Sequence, residues 1–287
     1  MIMRSYQELC NLFSKLNIDY SQPGFYDHPS FLKSEKEDKY FLENYADFVL
    51  AKKYDTDYLS TAKKVVTNFA TFLYSELEKD GLLGACLDLS MAMSKMLDKE
   101  NIWNFVSKGN LTIKFHPEVP LPAEDQIAYF PSITPYANIG HAWLYAPPFS
   151  IVDLTISSQK LNNLQKQCLP KLILREEVPT KISLRDITLE DVVHHDAPSF
   201  ADLSQLRTFS GLPIKNIDSL LEANGGGGLI ERINKYGAFQ VKYDSATLKY
   251  ISNGVTAGDM PLEKISNITL GDKSPNELYK KYCELYK

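Results

Sequence analysis

The fold is decided by two stretches of the chain, Gly81-Leu-Leu-Gly-Ala-Cys-Leu-Asp-Leu-Ser90 and Gly140-His-Ala-Trp-Leu-Tyr-Ala-Pro-Pro-Phe-Ser-Ile-Val-Asp-Leu-Thr155. The first stretch predicts a turn that contains glycine and leads into a helix headed by Cys86. In the second, two apolar runs typical of strands carry His141 and Asp153. The two stretches therefore supply a thiol, an imidazole and a carboxylate, which are the groups of a nucleophile, its base and the residue that orients the base.

The apolar runs at residues 139–145 and 149–154 predict two antiparallel strands that turn at Pro147-Pro148. His141 and Asp153 each lie about six residues from this turn, so such a hairpin would bring them near each other. We therefore expect the two side chains to share a hydrogen bond.

The segment that follows Cys86 predicts a strongly apolar, buried helix up to residue 97. Gly84, just upstream, would allow a close approach of the backbone to a bound molecule. A thiol attacks only as the thiolate, and both a helix N-terminus and a nearby imidazolium favour that anion. A lone cysteine at this place is also typical of a small buried hydrophobic residue. The presence of His141 and Asp153 favours the nucleophile, and the working hypothesis is a Cys-His-Asp acyl-transfer enzyme.

Residues 1 to about 80 are predicted to be helical. A first helix has one apolar face, and a long helix over residues 59–78 has another. Between them, Ser34 followed by Glu37 has the spacing of a capping box and predicts that a second helix begins there.

The rest of the chain predicts shorter elements. Residues 111–115 alternate like a strand, and residues 117–135, which are rich in proline, predict a long irregular loop. The composition becomes polar past about residue 175, so we expect a domain over residues 1–175 and a smaller C-terminal α+β region over residues 176–287. That region includes short helices near residues 188–195 and 202–221, a glycine-rich turn at 224–228, a hairpin over residues 239–250 and a C-terminal helix opened by Ser274-Pro275-Asn276-Glu277.

Charge and composition exclude several classes of protein. The 287 residues carry a net charge of −5 with no basic run, which argues against binding to nucleic acid. No apolar run is long enough for a membrane span, and the first residues lack the pattern of a signal peptide. The remaining cysteines, Cys10, Cys168 and Cys283, are far apart and form no Cys-x-x-Cys motif, so we expect a reduced cytoplasmic protein without disulfides.

We expect no cofactor and no metal ion. His194-His195-Asp196 lacks a partner at ligand spacing, and adjacent histidines on a helix point in different directions. A zinc ion held by Cys86, His141 and Asp153 is an alternative, but such sites usually have another Cys or His close in sequence. Asp88 falls in the first turn of the predicted helix, where the helix dipole favours a carboxylate.

The pattern formed by Gly84-x-Cys86-x-Asp88-Leu89-Ser90-x-Ala92-x-x-x-Met96-Leu97-x-x-x-Asn101-Ile102, then His141-Ala-Trp143 and then Asp153-x-Thr155, resembles the core of the transglutaminase-like superfamily. The resemblance covers residues 80 to 156, about a quarter of the chain. It implies an α+β, papain-like core in which a buried helix headed by cysteine packs on an antiparallel sheet. Cys86 would be the nucleophile, His141 the base, Asp153 the orienting group and Trp143 a packing residue. Arylamine N-acetyltransferases share the triad, but the Arg-Gly-Gly context expected around their cysteine is absent here.

The activity that this resemblance implies is acyl transfer at amide carbonyls through a thioester, of the transglutaminase, deamidase or peptidase type. The substrate would be a peptide or protein amide, with an amine as a second possible acceptor beside water. The backbone N–H of Cys86 is a natural oxyanion donor, and Tyr74 is a candidate for the second. The alternative is a catalytically silent module of the same fold that binds a peptide or protein partner.

Overall fold

The computed structural model describes residues 4–81, 85–130, 140–179, 235–258, 261–265 and 269–286. In these residues helices and an antiparallel sheet combine, so the predicted α+β class is confirmed. The predictions for residues 188–195, 202–221 and 224–228, and for His194-His195-Asp196, lie outside the described residues.

The described helices are α1 (Tyr6–Lys15), α2 (Pro29–Glu37), α3 (Leu42–Ala51), α4 (Thr56–Asp80), α5 (Cys86–Lys99), α6 (Asn163–Gln167) and α7 (Pro275–Tyr286). The described strands are β1 (Phe105–Phe115), β2 (Ile127–Phe130), β3 (His141–Ala146), β4 (Phe149–Asp153), β5 (Ile173–Arg175), β6 (Ala238–Lys242) and β7 (Ala246–Thr256).

The strands hydrogen-bond in the order β5-β4-β3-β1-β7-β6, and β2 pairs with β1. The strands β4 and β5, like β3 and β4, run antiparallel. The pairs β1–β2 and β6–β7 are also antiparallel. The hairpin predicted over residues 239–250 is confirmed as β6 and β7, which belong to the same sheet as β3.

Contacts divide the chain into two compact units that do not follow chain order. The first, here called the helical unit, takes its described residues from 2–107, 142–177 and 255–287 and contains α1 to α7. The second, here called the strand unit, takes its described residues from 108–141 and 178–254 and contains β2 and β6. The domain boundary predicted at residue 175 stays a prediction.

The N-terminal helices agree with the sequence in two cases of three. The first helix is confirmed as α1, and the long helix is confirmed as α4. The prediction that a helix begins at Ser34 is wrong, because α2 begins earlier, at Pro29. The ring of His28 accepts a hydrogen bond from the Ser30 N–H at 3.2 Å, and proline suits the first helical position. Ser34 lies inside this helix, where its hydroxyl donates to the Ser30 carbonyl at 3.1 Å.

The region predicted as an irregular loop from residue 117 contains a strand. Residues 127–130 form β2, in which Tyr129 lies opposite Thr112 of β1. The prolines that favoured a loop flank the strand and none lies inside it, and pairing with β1 satisfies the backbone of the short apolar run Ile127-Ala-Tyr-Phe130. Residues 131–135 of the predicted loop lie outside the described residues.

The C-terminal helix is confirmed as α7, together with its predicted cap. The Ser274 N–H donates to the Glu277 carboxylate at 2.8 Å, and the Glu277 N–H donates to the Ser274 hydroxyl at 3.4 Å. The Tyr282 ring stacks on Phe69 of α4, with 3.6 Å between the ring centroids. The end of the chain is therefore part of the helical unit.

Candidate active site

Cys86 is the first residue of α5 and is 7% exposed. The residue before it, Ala85, has no side chain that can cap the helix, although its carbonyl accepts the Leu89 N–H at 3.0 Å. The first amides of a helix have no intrahelical acceptor, and the N-terminus carries a partial positive charge. Cys86 therefore lies at the helix N-terminus that the sequence predicts, and its activation as a nucleophile stays a prediction.

His141 is the first residue of β3 and Asp153 is the last of β4, and both side chains are completely buried. The predicted antiparallel hairpin is confirmed, with Leu144 opposite Val152. In this antiparallel register, Asp153, which follows Val152, lies across from Trp143, which precedes Leu144. His141 and Trp143 project from the same face of β3, because side chains two residues apart share a face. The shared hydrogen bond expected between the imidazole and the carboxylate stays a prediction.

The carboxylate of Asp153 is fixed by Thr155. One carboxylate oxygen accepts hydrogen bonds from the Thr155 N–H at 2.9 Å and from the Thr155 hydroxyl at 3.2 Å. Gln159 in turn donates to the Thr155 carbonyl at 3.0 Å. Sequence reasoning did not assign this role to Thr155, although an Asp with Thr two residues later is a common turn in which the side chain accepts that N–H.

A hydrogen bond joins α5 to β3. The hydroxyl of Ser90, one turn after Cys86, donates to the carbonyl of Ala142 at 3.4 Å. Ser90 is buried, so the bond is shielded from water. Nothing in the local sequence around Ser90 indicates this partner, which lies on a different element.

Trp143 and Tyr145 are two aromatic residues of β3 that share a face of the strand. Trp143 is fully buried, and its predicted role as a packing residue beside the site stays a prediction. Tyr145, two residues further along, stacks on Phe105 with 4.9 Å between the ring centroids. Burial raises the pKa of Tyr145 above its ordinary value, so the hydroxyl stays protonated.

Within the strand unit, His141 lies against a residue from the C-terminal part of the chain. The imidazole ring and the Tyr250 ring are tilted by 45° with 6.0 Å between their centroids. Both side chains are completely buried. The sequence pattern predicts only that Tyr250 lies in a hairpin. It does not indicate a part in the site, because the proximity of Tyr250 to His141 depends on tertiary structure.

Two further residues that the sequence singles out, Asp88 and Tyr74, have different outcomes. Asp88 lies in the first turn of α5 as predicted, and burial raises the pKa of its carboxyl group. The Tyr74 hydroxyl donates to Glu78 at 3.5 Å in an exposed pair on α4, which gives no support to an oxyanion role. Gly84 lies outside the described residues.

All four cysteines lie in the described residues, and none of them forms a disulfide, as the sequence predicts. In the described part of the chain, no three His, Cys, Asp or Glu side chains are grouped so that they could hold a metal ion. The zinc alternative therefore gains no support.

Comparison of the chain with protein-family models, curated proteins and solved structures found no match. None of the helices in the described ranges is both long and apolar enough to cross a membrane. The cytoplasmic location stays a prediction.

Proposed function

We propose that the protein is a cysteine-dependent enzyme that transfers acyl groups from peptide or protein amides through a thioester on Cys86. The observation that carries the proposal is the position of Cys86 in the first turn of the buried helix α5. The N-cap residue Ala85 has no side chain that could cap this helix. A partial positive charge at that point favours the thiolate, which is the reactive form of the side chain. His141 at the start of β3 and Asp153 at the end of β4 are the proposed base and orienting group, and the confirmed β3–β4 hairpin supports this assignment.

In the proposed mechanism, His141 accepts the proton of the Cys86 thiol, and the sulfur attacks the carbonyl carbon of an amide. The C–N bond then breaks, and ammonia or an amine leaves with the proton held by His141. The acyl group remains on Cys86 as a thioester. An amine that attacks the thioester gives a new amide, and water gives a carboxylic acid; either step returns the proton to the thiolate.

Two interactions support this chemistry. Asp153, held by Thr155, would accept the second ring N–H of His141 and keep the imidazole in the orientation that proton transfer requires. The Cys86 N–H at the helix start is a donor for the oxyanion that forms in the tetrahedral intermediate.

A second candidate function is a catalytically silent module that binds a peptide or protein partner. The specific observation that favours it is the 7% exposure of Cys86, since a substrate carbonyl must reach the sulfur. The two functions differ in whether Cys86 becomes acylated.

The test uses a disordered, glutamine-rich polypeptide as acyl donor and a fluorescent primary amine as acceptor. Fluorescence incorporated into the donor reports transfer, and released ammonia reports both transfer and hydrolysis. The variant Cys86→Ser removes the proposed nucleophile, and Cys168→Ser is the matched control for a partly exposed thiol. We expect product with the wild type and with Cys168→Ser, and none with Cys86→Ser. A wild-type yield no greater than that of Cys86→Ser contradicts the proposal.

A further inference from the structure

The contact between Tyr250 and His141 links the proposed site to the C-terminal part of the chain. The centroid distance of 6.0 Å and the tilt of 45° are within the range of packed aromatic rings. Neither side chain is exposed, and both residues belong to the strand unit. Tyr250 belongs to β7, which the sequence assigned to a separate region.

Gly109 of β1 allows the backbone of β7 to approach β1 closely at Ile251, next to Tyr250. The two strands are neighbours in the sheet, and a Cβ atom added to Gly109 would lie 1.9 Å from the carbonyl oxygen of Ile251. That oxygen belongs to the backbone, so β7 would have to move to accommodate any side chain. Ile251 directly follows Tyr250, and the tyrosine would move with it.

The pairing with β6 fixes Tyr250 from the other side. Tyr250 lies opposite Phe239, and the Ser252 N–H donates to the Gly237 carbonyl at 3.3 Å. Leu248, which shares the face of β7 with Tyr250, is also fully buried. The ring of Tyr250 is therefore held on a rigid element, which is the requirement for a group that orients another.

We propose that Tyr250 is a positioning residue, which packs against the imidazole of His141 and restricts its rotation. This inference rests on the proposed function, because it assigns Tyr250 to the orientation of the proposed base. It adds β7 to the elements that hold the proposed base. The aromatic ring makes this contact, and the hydroxyl group does not. Phenylalanine at position 250 should therefore still position the imidazole, whereas an aliphatic residue should not.

The test compares Tyr250→Leu and Tyr250→Phe by two measurements. The first is the rate of iodoacetamide labelling of Cys86 as a function of pH. The second is the titration of the His141 imidazole by NMR, in which His141→Ala identifies the signal. Leu248→Ala is the matched control, because it removes buried area from the same face of β7 and keeps the aromatic ring.

We expect Tyr250→Leu to slow labelling several-fold and to shift the imidazole titration by at least about 0.5 pH unit. Tyr250→Phe and Leu248→Ala should keep the wild-type titration, even though Leu248→Ala lowers stability. An unchanged titration in Tyr250→Leu, or an equal change in Tyr250→Phe, overturns the inference. Failure of the proposed function is recognised separately, because labelling of Cys86 would then be unaffected by His141→Ala.

Discussion

The hydroxyl of Ser90 donates a 3.4 Å hydrogen bond to the carbonyl oxygen of Ala142, and this bond joins the helix headed by Cys86 to the strand that begins at His141. Ser90 lies one turn after Cys86, and Ala142 directly follows His141. The bond therefore links α5 to β3 within the helical unit, one turn after the proposed nucleophile.

Replacement of Ser90 by alanine should loosen this link. We expect Ser90→Ala to slow iodoacetamide labelling of Cys86 several-fold and to lower the free energy of unfolding by about 1 kcal/mol, as for one buried hydrogen bond. The matched control is Ser94→Ala, which changes a buried serine one turn further along α5. Equal labelling rates in the two variants would show that the Ser90–Ala142 bond has no part in the site.

Loss of the Asp153 charge should slow labelling of Cys86 more than loss of the hydrogen bond from the Thr155 hydroxyl to Asp153. Asp153→Asn keeps the shape of the side chain and an acceptor for Thr155, but removes the charge that would orient the imidazole. We expect Cys86 labelling to slow by at least about tenfold. Thr155→Val keeps the backbone N–H bond and loses the hydroxyl bond, so it should cost about 1 kcal/mol of stability and slow labelling less. A larger decrease in the labelling rate in Thr155→Val than in Asp153→Asn would contradict this prediction.

Asp98, near the end of α5, should make stability depend on pH. Burial raises the pKa of Asp98 to about 7, although the hydrogen bond from Tyr26 and the nearby charge of Lys95 lower it. The residue keeps some exposure, but its carboxyl group accepts hydrogen bonds from Tyr26 at 2.7 Å and from Asn104 at 3.0 Å. In the unfolded chain the group releases its proton near its ordinary pKa of about 3.9.

Between these two values the folded state binds more protons than the unfolded state, so the contribution of Asp98 to stability falls as pH rises from 4 to 7. Above pH 7 it stays constant. Asp98→Asn cannot ionise, and we expect its free energy of unfolding relative to wild type to increase across that window. Urea denaturation of both proteins at a series of pH values measures the difference. A difference independent of pH would show that Asp98 titrates alike in both states.

The C-terminal helix should contribute to the stability of the helical unit. Tyr282 is buried against Phe69, and Lys281 forms an ion pair of 2.6 Å with Glu76 of α4. We expect Tyr282→Ala to lower the free energy of unfolding by about 3 kcal/mol, because it removes a buried aromatic ring. Tyr282→Phe keeps the ring and should lose less than about 1 kcal/mol. Similar losses in both variants would attribute the stability to the hydroxyl group.

Sequence patterns predicted the parts of this fold that depend on neighbours along the chain. The apolar periodicity after Cys86 predicted α5, and the two runs around Pro147-Pro148 predicted β3 and β4. The cap at Ser274 was predicted because Glu277 lies three residues later. Each of these signals is confined to a few turns of helix or to one hairpin.

The missed features depend on residues that are distant in sequence. Ser90 and Ala142 are separated by 52 positions, and His141 and Tyr250 by more. The strand β2 was interpreted as loop because its pairing with β1 is a tertiary contact and the flanking prolines are a local signal. Local patterns thus predicted the elements that carry the proposed triad, and not the contacts that hold those elements in place.

The central claim is that Cys86 is an activated nucleophile that depends on His141. The most direct measurement is the rate of iodoacetamide labelling at Cys86 against pH, in the wild type and in His141→Ala, with the labelled sites identified by peptide mass spectrometry. Cys168, which is partly exposed, provides an internal reference thiol in the same samples. We predict fast labelling of Cys86 at or below pH 7 that is lost in His141→Ala, while labelling of Cys168 is unchanged. The account would be contradicted if Cys86 were labelled slowly with a midpoint at about pH 8.5, as for an ordinary thiol, and if His141→Ala showed the same profile.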